Sequence, residues 1–238
     1  MRRRLCAAFV ACFASLLAGC AQVKPVPELA QKGVLPPEFP EAYYRQAAAQ
    51  GKPVFRVDSR TSIVVIEVGR AGSLARLGHD HIVASHDVGG YVVPGDGRAD
   101  LYFPLAQLVV DEPALRAEAG FETQPSESDI AGTRSNMLNS VLEAERFPFA
   151  LIRVSGVDAR NRAGPINVAI TLHGTTHAPE VPAQIEASAD QLTVSGRFSL
   201  DQTDFGITPY SVLGGAIAVR NRLDLRFRIL ATRVGSQD

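Results

Sequence analysis

The chain has 238 residues, of which 46% are hydrophobic, and its formal net charge at pH 7 is -1. This length suits one all-β domain, and the hydrophobic fraction is sufficient for a buried core. The nearly neutral charge argues against nucleic acid as a partner. Beyond the N-terminus the sequence has no window of about 18 apolar residues, so we predict no transmembrane helix there.

The first 20 residues are organised like an export signal. Three arginines precede the apolar stretch Leu5–Leu17, which is too short to be a good membrane span. The following tetrapeptide, Leu17–Cys20, resembles the lipobox of bacterial lipoproteins, in which the signal is cut before an acylated cysteine. The resemblance implies a signal peptide over residues 1–19 and lipidation of Cys20 with acyl chains such as palmitate. Since Ala21 is not aspartate, it also implies the periplasm and anchoring to the outer membrane. An ordinary secretory signal that contains a cysteine is the alternative.

All three cysteines of the chain lie within this N-terminal segment, at Cys6, Cys12 and Cys20. The domain that follows therefore has neither a disulfide nor a thiol nucleophile, although an exported protein meets conditions that permit disulfides. Residues 20–52 contain five prolines and few large apolar residues, which is typical of a tether. We predict a short helix within it at Glu41–Gln50 and a folded domain over residues 53–234.

The domain is dominated by segments in which apolar and polar residues alternate, the pattern of a half-buried β-strand. The strand Ile166–His173 places Ile166, Val168, Ile170 and Leu172 on one face and His173 on the other. Two helices interrupt the strands. The segment Ala114–Ala119 is bracketed by Pro113 and Gly120, and a longer helix is predicted over Ser128–Glu145. Further strands are predicted at Val54–Asp58, Ser62–Gly69, Leu77–Val93, Arg98–Val110, Phe149–Val157, Ala183–Ala187, Leu192–Leu200 and Leu223–Ile229.

Many short antiparallel strands interrupted once by helix favour a barrel or a sandwich. Closure into a barrel removes exposed strand edges, and about eight strands leave an interior that holds side chains or one small ligand. The glycine pair Gly89–Gly90 inside Leu77–Val93 predicts a bend or a bulge in the sheet.

Four segments, taken in order and spacing, resemble the YceI-like family of bacterial periplasmic proteins that bind polyisoprenoid lipids. The segments are Phe55–Asp58 with Ser62 and Ile63, Met137–Phe149, Ile170–Thr176 and Asp204–Ile207. The resemblance covers residues 53–234. It implies an all-β dominated fold, an antiparallel lipocalin-like β-barrel of about eight strands with one or two helices in a mid-domain insertion. It also implies an apolar tunnel that holds an isoprenoid quinone or another polyisoprenoid lipid.

The residues expected to line such a tunnel are the large apolar members of the alternating strands. They are Leu101, Phe103, Ile166, Val168, Ile170, Leu172, Phe198, Leu225 and Phe227. Transfer of a hydrocarbon chain out of water is favourable by about 25 cal/mol per Å² of apolar surface, so few polar groups are needed at such a site. The alternative is that these side chains simply fill a solid core.

A lipid tunnel does not require the two closely spaced histidines His79 and His81. On one strand the two imidazoles share a face about 6.6 Å apart, and they are candidate metal ligands. Zinc would require two more ligands, for which Asp80 and His173 are candidates. Otherwise the histidines are polar residues of a turn, or they bond to one another, or one donates to a lipid headgroup such as a quinone carbonyl.

The sequence contains no G-x-S-x-G, H-E-x-x-H or P-loop pattern, and we predict no enzymatic activity and no catalytic residue. The leading hypothesis is a lipid-anchored periplasmic protein that binds an isoprenoid lipid or a similar long amphiphile. A metal-binding or redox accessory protein that uses His79 and His81 is the rival. A structural envelope protein with a filled barrel is the third class.

Overall fold

The computed structural model describes residues 34–157 and 163–235. The predicted signal peptide, Cys20 and the first part of the predicted tether lie outside these residues. Within the described residues, no helix has the length and apolar character needed to cross a membrane.

The described strands form one antiparallel sheet that closes on itself. The strands are β1 (Phe55–Val57), β2 (Ile63–Ala71), β3 (His81–Ser85), β4 (Gly89–Val93), β5 (Arg98–Pro104), β6 (Val109–Val110), β7 (Phe149–Ser155), β8 (Ala163–Leu172), β9 (Thr175–His177), β10 (Glu180–Ala187), β11 (Gln191–Asp201), β12 (Ser211–Val212) and β13 (Ile217–Arg233). The hydrogen-bonded order of the strands is β1, β4, β5, β7, β8, β10, β11, β13, β2, β3 and β6. Because β13 pairs with both β1 and β2, the sheet closes into a barrel. The predicted lipocalin-like barrel of eight antiparallel strands is confirmed.

Three of the eight barrel strands are broken by bends. The pairs β1–β2, β3–β4 and β5–β6 each act as one barrel strand, because β4 pairs with β1 and β5 while β3 pairs with β2 and β6. The stretch predicted as Leu77–Val93 is thus two strands, and the glycine pair Gly89–Gly90 directly follows the break. Gly90 has φ 142°, and a Cβ there would lie 2.3 Å from the backbone oxygen of Asp100. This corner therefore requires glycine.

The core lies inside the barrel, where the apolar face of each alternating strand meets the others. In β8, Val168 and Ile170 are buried together with Ile166, as the alternation predicts. In β13, the inward residues Leu225 and Phe227 pair in register with Phe198 and Gly196 of β11. Gly196 leaves room for the Phe227 ring, since a Cβ at that position would lie 2.8 Å from the ring.

Helices cover the barrel in two places. The helices are α1 (Glu41–Ala49), α2 (Pro113–Glu118) and α3 (Glu127–Asn136), and a π-helical turn at Met137–Val141 continues α3. Short 3-10 turns lie at Ala75–Leu77, Pro94–Asp96, Leu105–Gln107, Gln202–Phe205 and Leu213–Gly215. The predicted helix Ser128–Glu145 is therefore shorter than expected and changes to π geometry at its end. Ser126 and Asp129 form a capping box at the start of α3, which fixes where that helix begins.

The predicted helix Glu41–Gln50 is present as α1, and it packs against the outer wall of the barrel. Tyr44 and Ala47 of α1 are buried with Val54 and Val93. The Tyr44 ring stacks on Tyr91 with 5.2 Å between ring centroids. This part of the predicted tether therefore lies on the surface of the folded domain.

Candidate functional site: an apolar cavity with a polar end

The barrel encloses a cavity of about 530 Å³. Its wall consists mainly of aliphatic and aromatic side chains from β2, β5, β7, β8, β11 and β13, and from the π-helical turn. Typical small-molecule sites have volumes of about 300–1,000 Å³ and are mostly apolar with a few polar groups. The interior of this barrel therefore contains a cavity of ligand size, which does not favour the alternative of a fully solid core.

Eight of the nine residues predicted to bind the ligand line this cavity. They are Leu101, Phe103, Val168, Ile170, Leu172, Phe198, Leu225 and Phe227. The ninth, Ile166, points the same way but is buried in the packed core and does not line the cavity. Their role in binding stays a prediction. The structure adds cavity residues that the sequence did not single out, among them Val64, Ile66 and Val68 of β2 and Met137 and Val141 of the π-helical turn.

The polar residues of the cavity wall gather at one end of the barrel. His81 at the start of β3 pairs with Val68 near the end of β2, and Val68 pairs with Leu223 near the start of β13. Gln202 follows the end of β11, whose last residue pairs with Arg222 of β13. The side chains Arg70, His79, His81, Ser128, Asp129 and Gln202 line the cavity at this end.

His81 is held by a buried ionic cluster behind the cavity wall. Its Nδ1 lies 2.6 Å from Oδ2 of Asp111, whose side chain is 0% exposed. The other oxygen of Asp111 accepts a hydrogen bond from the backbone N–H of Ile82, with a donor–acceptor distance of 3.0 Å, and one from Nη1 of Arg116. Arg116 is itself buried and also donates to the backbone oxygens of Asp80 and Thr123.

This environment keeps Asp111 ionised. Burial raises the pKa of the Asp111 carboxyl, but hydrogen bonds from His81 and Ile82 and the Arg116 guanidinium outweigh burial and hold the pKa below its usual value. Asp111 also has φ 58°, in the left-handed region that aspartate tolerates better than most residues.

His79 and His81 do lie together, with 6.2 Å between their ring centroids, but β3 begins only at His81. Among the described residues, no group of three or more His, Cys, Asp or Glu side chains is placed to hold a metal ion. Nδ1 of His81 already faces Asp111, and Asp80, which the sequence suggested as a further ligand, pairs with Arg70 at 3.4 Å. The geometry therefore does not favour the predicted metal site at His79 and His81.

The remaining histidines lie away from the cavity wall. His173 stacks on Phe147 with 4.8 Å between centroids, and its Nε2 lies 3.1 Å from Glu143. His173 therefore does not line the cavity, as predicted, but the reason is different: β8 ends at Leu172, and His173 lies in the following turn with φ 52°. His86 pairs with Glu112 on the exposed side of the barrel.

Sequence reasoning missed Asp111 and Arg116. Neither belongs to a motif, and they come from a strand end and from the short helix α2. The Pro113 signal for the start of α2 was available, but no local pattern shows that a carboxylate two residues earlier is buried. Their importance depends on contacts with β3, about 30 residues earlier in the chain.

A closed eight-stranded barrel with an apolar internal cavity defines the class: a lipocalin-like barrel of the kind that holds one small ligand. The chain belongs to the YceI-like family, because the model of the YceI-like domain matches residues 80–231, well over half of the sequence.

Two solved structures share this fold at low sequence identity. One is a polyisoprenoid binding domain from Saccharophagus degradans implicated in plant cell wall breakdown, which is 12% identical with a TM-score of 0.54 over 75% of this chain and 98% of that chain. The other is BcnA of Burkholderia cenocepacia, which is 14% identical with a TM-score of 0.53 over 74% of this chain and 99% of that chain. Among curated proteins, no sequence matches this chain significantly.

Proposed function

We propose that this protein is a carrier that binds an isoprenoid lipid, or a similar long amphiphile, inside the barrel. The observation that carries the proposal is the cavity of about 530 Å³, walled by aliphatic and aromatic side chains and polar at one end. Burial of apolar surface is worth about 25 cal/mol per Å², so a hydrocarbon chain in this cavity gains affinity without strong polar contacts. Membership of the YceI-like family supports this reading, as does a fold shared with a polyisoprenoid binding domain.

The proposal includes a location. Acylation of Cys20 would anchor the protein to the outer membrane, with the barrel in the periplasm, where the lipid partner is within reach. More than one acyl chain is needed for stable anchoring, and the lipoprotein type of modification supplies this. Binding and release of the lipid involve no covalent change, so the proposed role is that of a binding protein and not of an enzyme.

The direct test is to extract purified protein with organic solvent and to identify the released lipid by mass spectrometry. We expect a long-chain isoprenoid or a comparable amphiphile in near-stoichiometric amount. The variant Val68→Trp places a large ring in the cavity and should reduce the extracted lipid about tenfold, because the indole occupies volume that the hydrocarbon chain would fill. Val109→Trp is the matched control, because Val109 is an exposed strand residue that does not line the cavity. Folded protein without any lipid, and unable to take one up, would contradict the proposal.

The anchor is tested separately by metabolic labelling with palmitate and by membrane fractionation. Cys20→Ser should abolish the label and release the protein from the membrane fraction. Cys12→Ser removes a cysteine of the same segment and should change neither. Labelling that survives Cys20→Ser would refute the anchor and would leave lipid binding by the barrel untouched.

A further inference from the structure

His81 is the polar side chain of the cavity whose ring orientation is fixed by its surroundings. It is 14% exposed, and its Nδ1 lies 2.6 Å from the fully buried carboxylate of Asp111. That carboxylate is itself immobilised by the backbone N–H of Ile82 and by Arg116, whose side chain is 2% exposed. An imidazole held in this way has little freedom to turn, so the position of its second nitrogen is set by the fold.

The hydrogen bond to Asp111 also determines where the proton of the ring lies. An ionised carboxylate only accepts hydrogen bonds, so Nδ1 of His81 must be the donor. In the neutral imidazole the other nitrogen, Nε2, is then a bare acceptor. No group among the described residues makes a hydrogen bond to Nε2 of His81, although the residue lines the cavity. The cavity therefore offers an oriented hydrogen-bond acceptor at its polar end.

The other charged groups at this end are engaged elsewhere. Arg70 donates to the backbone oxygen of Gly78 at 2.9 Å and pairs with Asp80. The Asp129 carboxylate accepts from Ser126 in the capping box of α3. A negative charge at Asp129 and a paired Arg70 disfavour an anionic headgroup such as a phosphate.

We propose that Nε2 of His81 accepts a hydrogen bond from the hydroxyl group of the bound lipid, so that the ligand is an isoprenoid with a hydroxyl headgroup. Polyprenyl alcohols and isoprenoid quinols share this chemistry, whereas a quinone offers only carbonyl acceptors. This inference rests on the proposed function and specifies its ligand class. It reverses the expectation from sequence that a histidine donates to a quinone carbonyl.

The test compares two ligands that differ only in the donor. Delipidated full-length protein is equilibrated with radiolabelled geranylgeraniol or with geranylgeranyl methyl ether, and the dissociation constants are measured. One hydrogen bond corresponds to about a tenfold difference, so the alcohol should bind about tenfold more tightly than the ether. His81→Asn keeps an amide donor for Asp111 and lacks the second ring nitrogen. It should remove the preference, so that the variant binds the alcohol and the ether with equal affinity.

The matched control is His86→Asn, because His86 is an exposed histidine of the same barrel that pairs with Glu112 and does not line the cavity. It should retain the tenfold preference. Equal affinity of the unaltered protein for alcohol and ether overturns the inference and leaves the proposed function standing. Failure to bind either ligand contradicts the proposed function itself.

Two further measurements do not depend on the stability of a variant. Nitrogen NMR of the unaltered protein, followed over pH so that the neutral imidazole of His81 is observed, should show its single proton on Nδ1 and a bare Nε2. A neutral ring with its proton on Nε2 would overturn the inference. Binding of an isoprenoid benzoquinol and of its quinone should favour the quinol about tenfold, and tighter binding of the quinone would overturn it too. The identity of the lipid extracted from the native protein separates the two sources, an alcohol or a quinol.

Discussion

The barrel wall contains two buried aspartates whose surroundings are alike in composition and different in use. Asp100 accepts from the Tyr44 hydroxyl at 2.7 Å, from Arg98 at 2.7 Å and from Arg153 at 3.0 Å, beneath α1 on the outer wall. Asp111 accepts from His81, Ile82 and Arg116 behind the cavity wall. In both cases burial raises the pKa of the carboxyl, but the hydrogen bonds lower it by more. The net result is a pKa below the usual value for aspartate.

The two clusters differ in one partner, which is Tyr44 for Asp100 and His81 for Asp111. The single hydroxyl of Tyr44 donates its hydrogen bond to Asp100, and the ring packs against Tyr91. This cluster therefore fixes α1 to the barrel. His81 has a second nitrogen, and it lines the cavity. A buried carboxylate therefore serves as a structural clamp in one place and as the support of a binding group in the other.

The largest effect is expected from Asp111→Asn. Removal of one partner of a buried ion pair leaves Arg116 uncompensated and costs about 3–5 kcal/mol. Asparagine keeps the size of the side chain and tolerates the positive φ of 58°. The loss of folding stability therefore measures the effect of the missing charge and not of backbone strain. Urea unfolding measures it. A loss below about 1 kcal/mol would show that the Asp111 cluster is not the buried ionic site described above.

A smaller loss is expected from Tyr44→Phe. This change removes one hydrogen bond to a charged acceptor but leaves Asp100 paired with Arg98 and Arg153, so the cost is about 1–2 kcal/mol. Tyr43→Phe is the matched control, because the adjacent Tyr43 donates to Asp96 in an exposed pair and should change stability little. Lipid binding should be unaffected in both variants. Weaker lipid binding in Tyr44→Phe would contradict the separation between clamp and binding site.

The smallest effect is a pH dependence that the two clusters share. The pKa of each carboxyl is lowered in the folded state, so each contributes stability that is fully present above the unfolded pKa of about 3.9. That stability is lost as the pH falls through the lower folded value. The free energy of unfolding should therefore decrease between about pH 5 and pH 3, and less steeply in Asp100→Asn. An equal slope in the two proteins would mean that the pKa of Asp100 is the same in the folded and the unfolded state, which contradicts the lowered pKa.

Much of the barrel was predictable because burial imposes a local period of two on each strand. The alternation of Ile166–Leu172 and Leu223–Ile229 identified the inward faces. His173 lies outside the cavity as predicted, but it belongs to the turn after β8 and not to the strand. Helix α2 was bracketed correctly by Pro113 and Gly120, since those residues have positional meaning at helix ends. The short strand β9 was missed, because Thr175–His177 is too short and too polar to show a period.

Only the tertiary structure decided the rest. A proline-rich segment with an alanine-rich helix looks like a tether until Tyr44 is seen to reach Asp100, 56 residues away. Likewise, the polar end of the cavity depends on Asp111 and Arg116, which meet His81 only because β3 and β6 pair and α2 packs beside them. Sequence determined which faces are apolar, because that pattern is local. The pairing of β3 with β6 and the packing of α2 determined which nitrogen of His81 faces Asp111 and which has no partner among the described residues, because these contacts join distant segments.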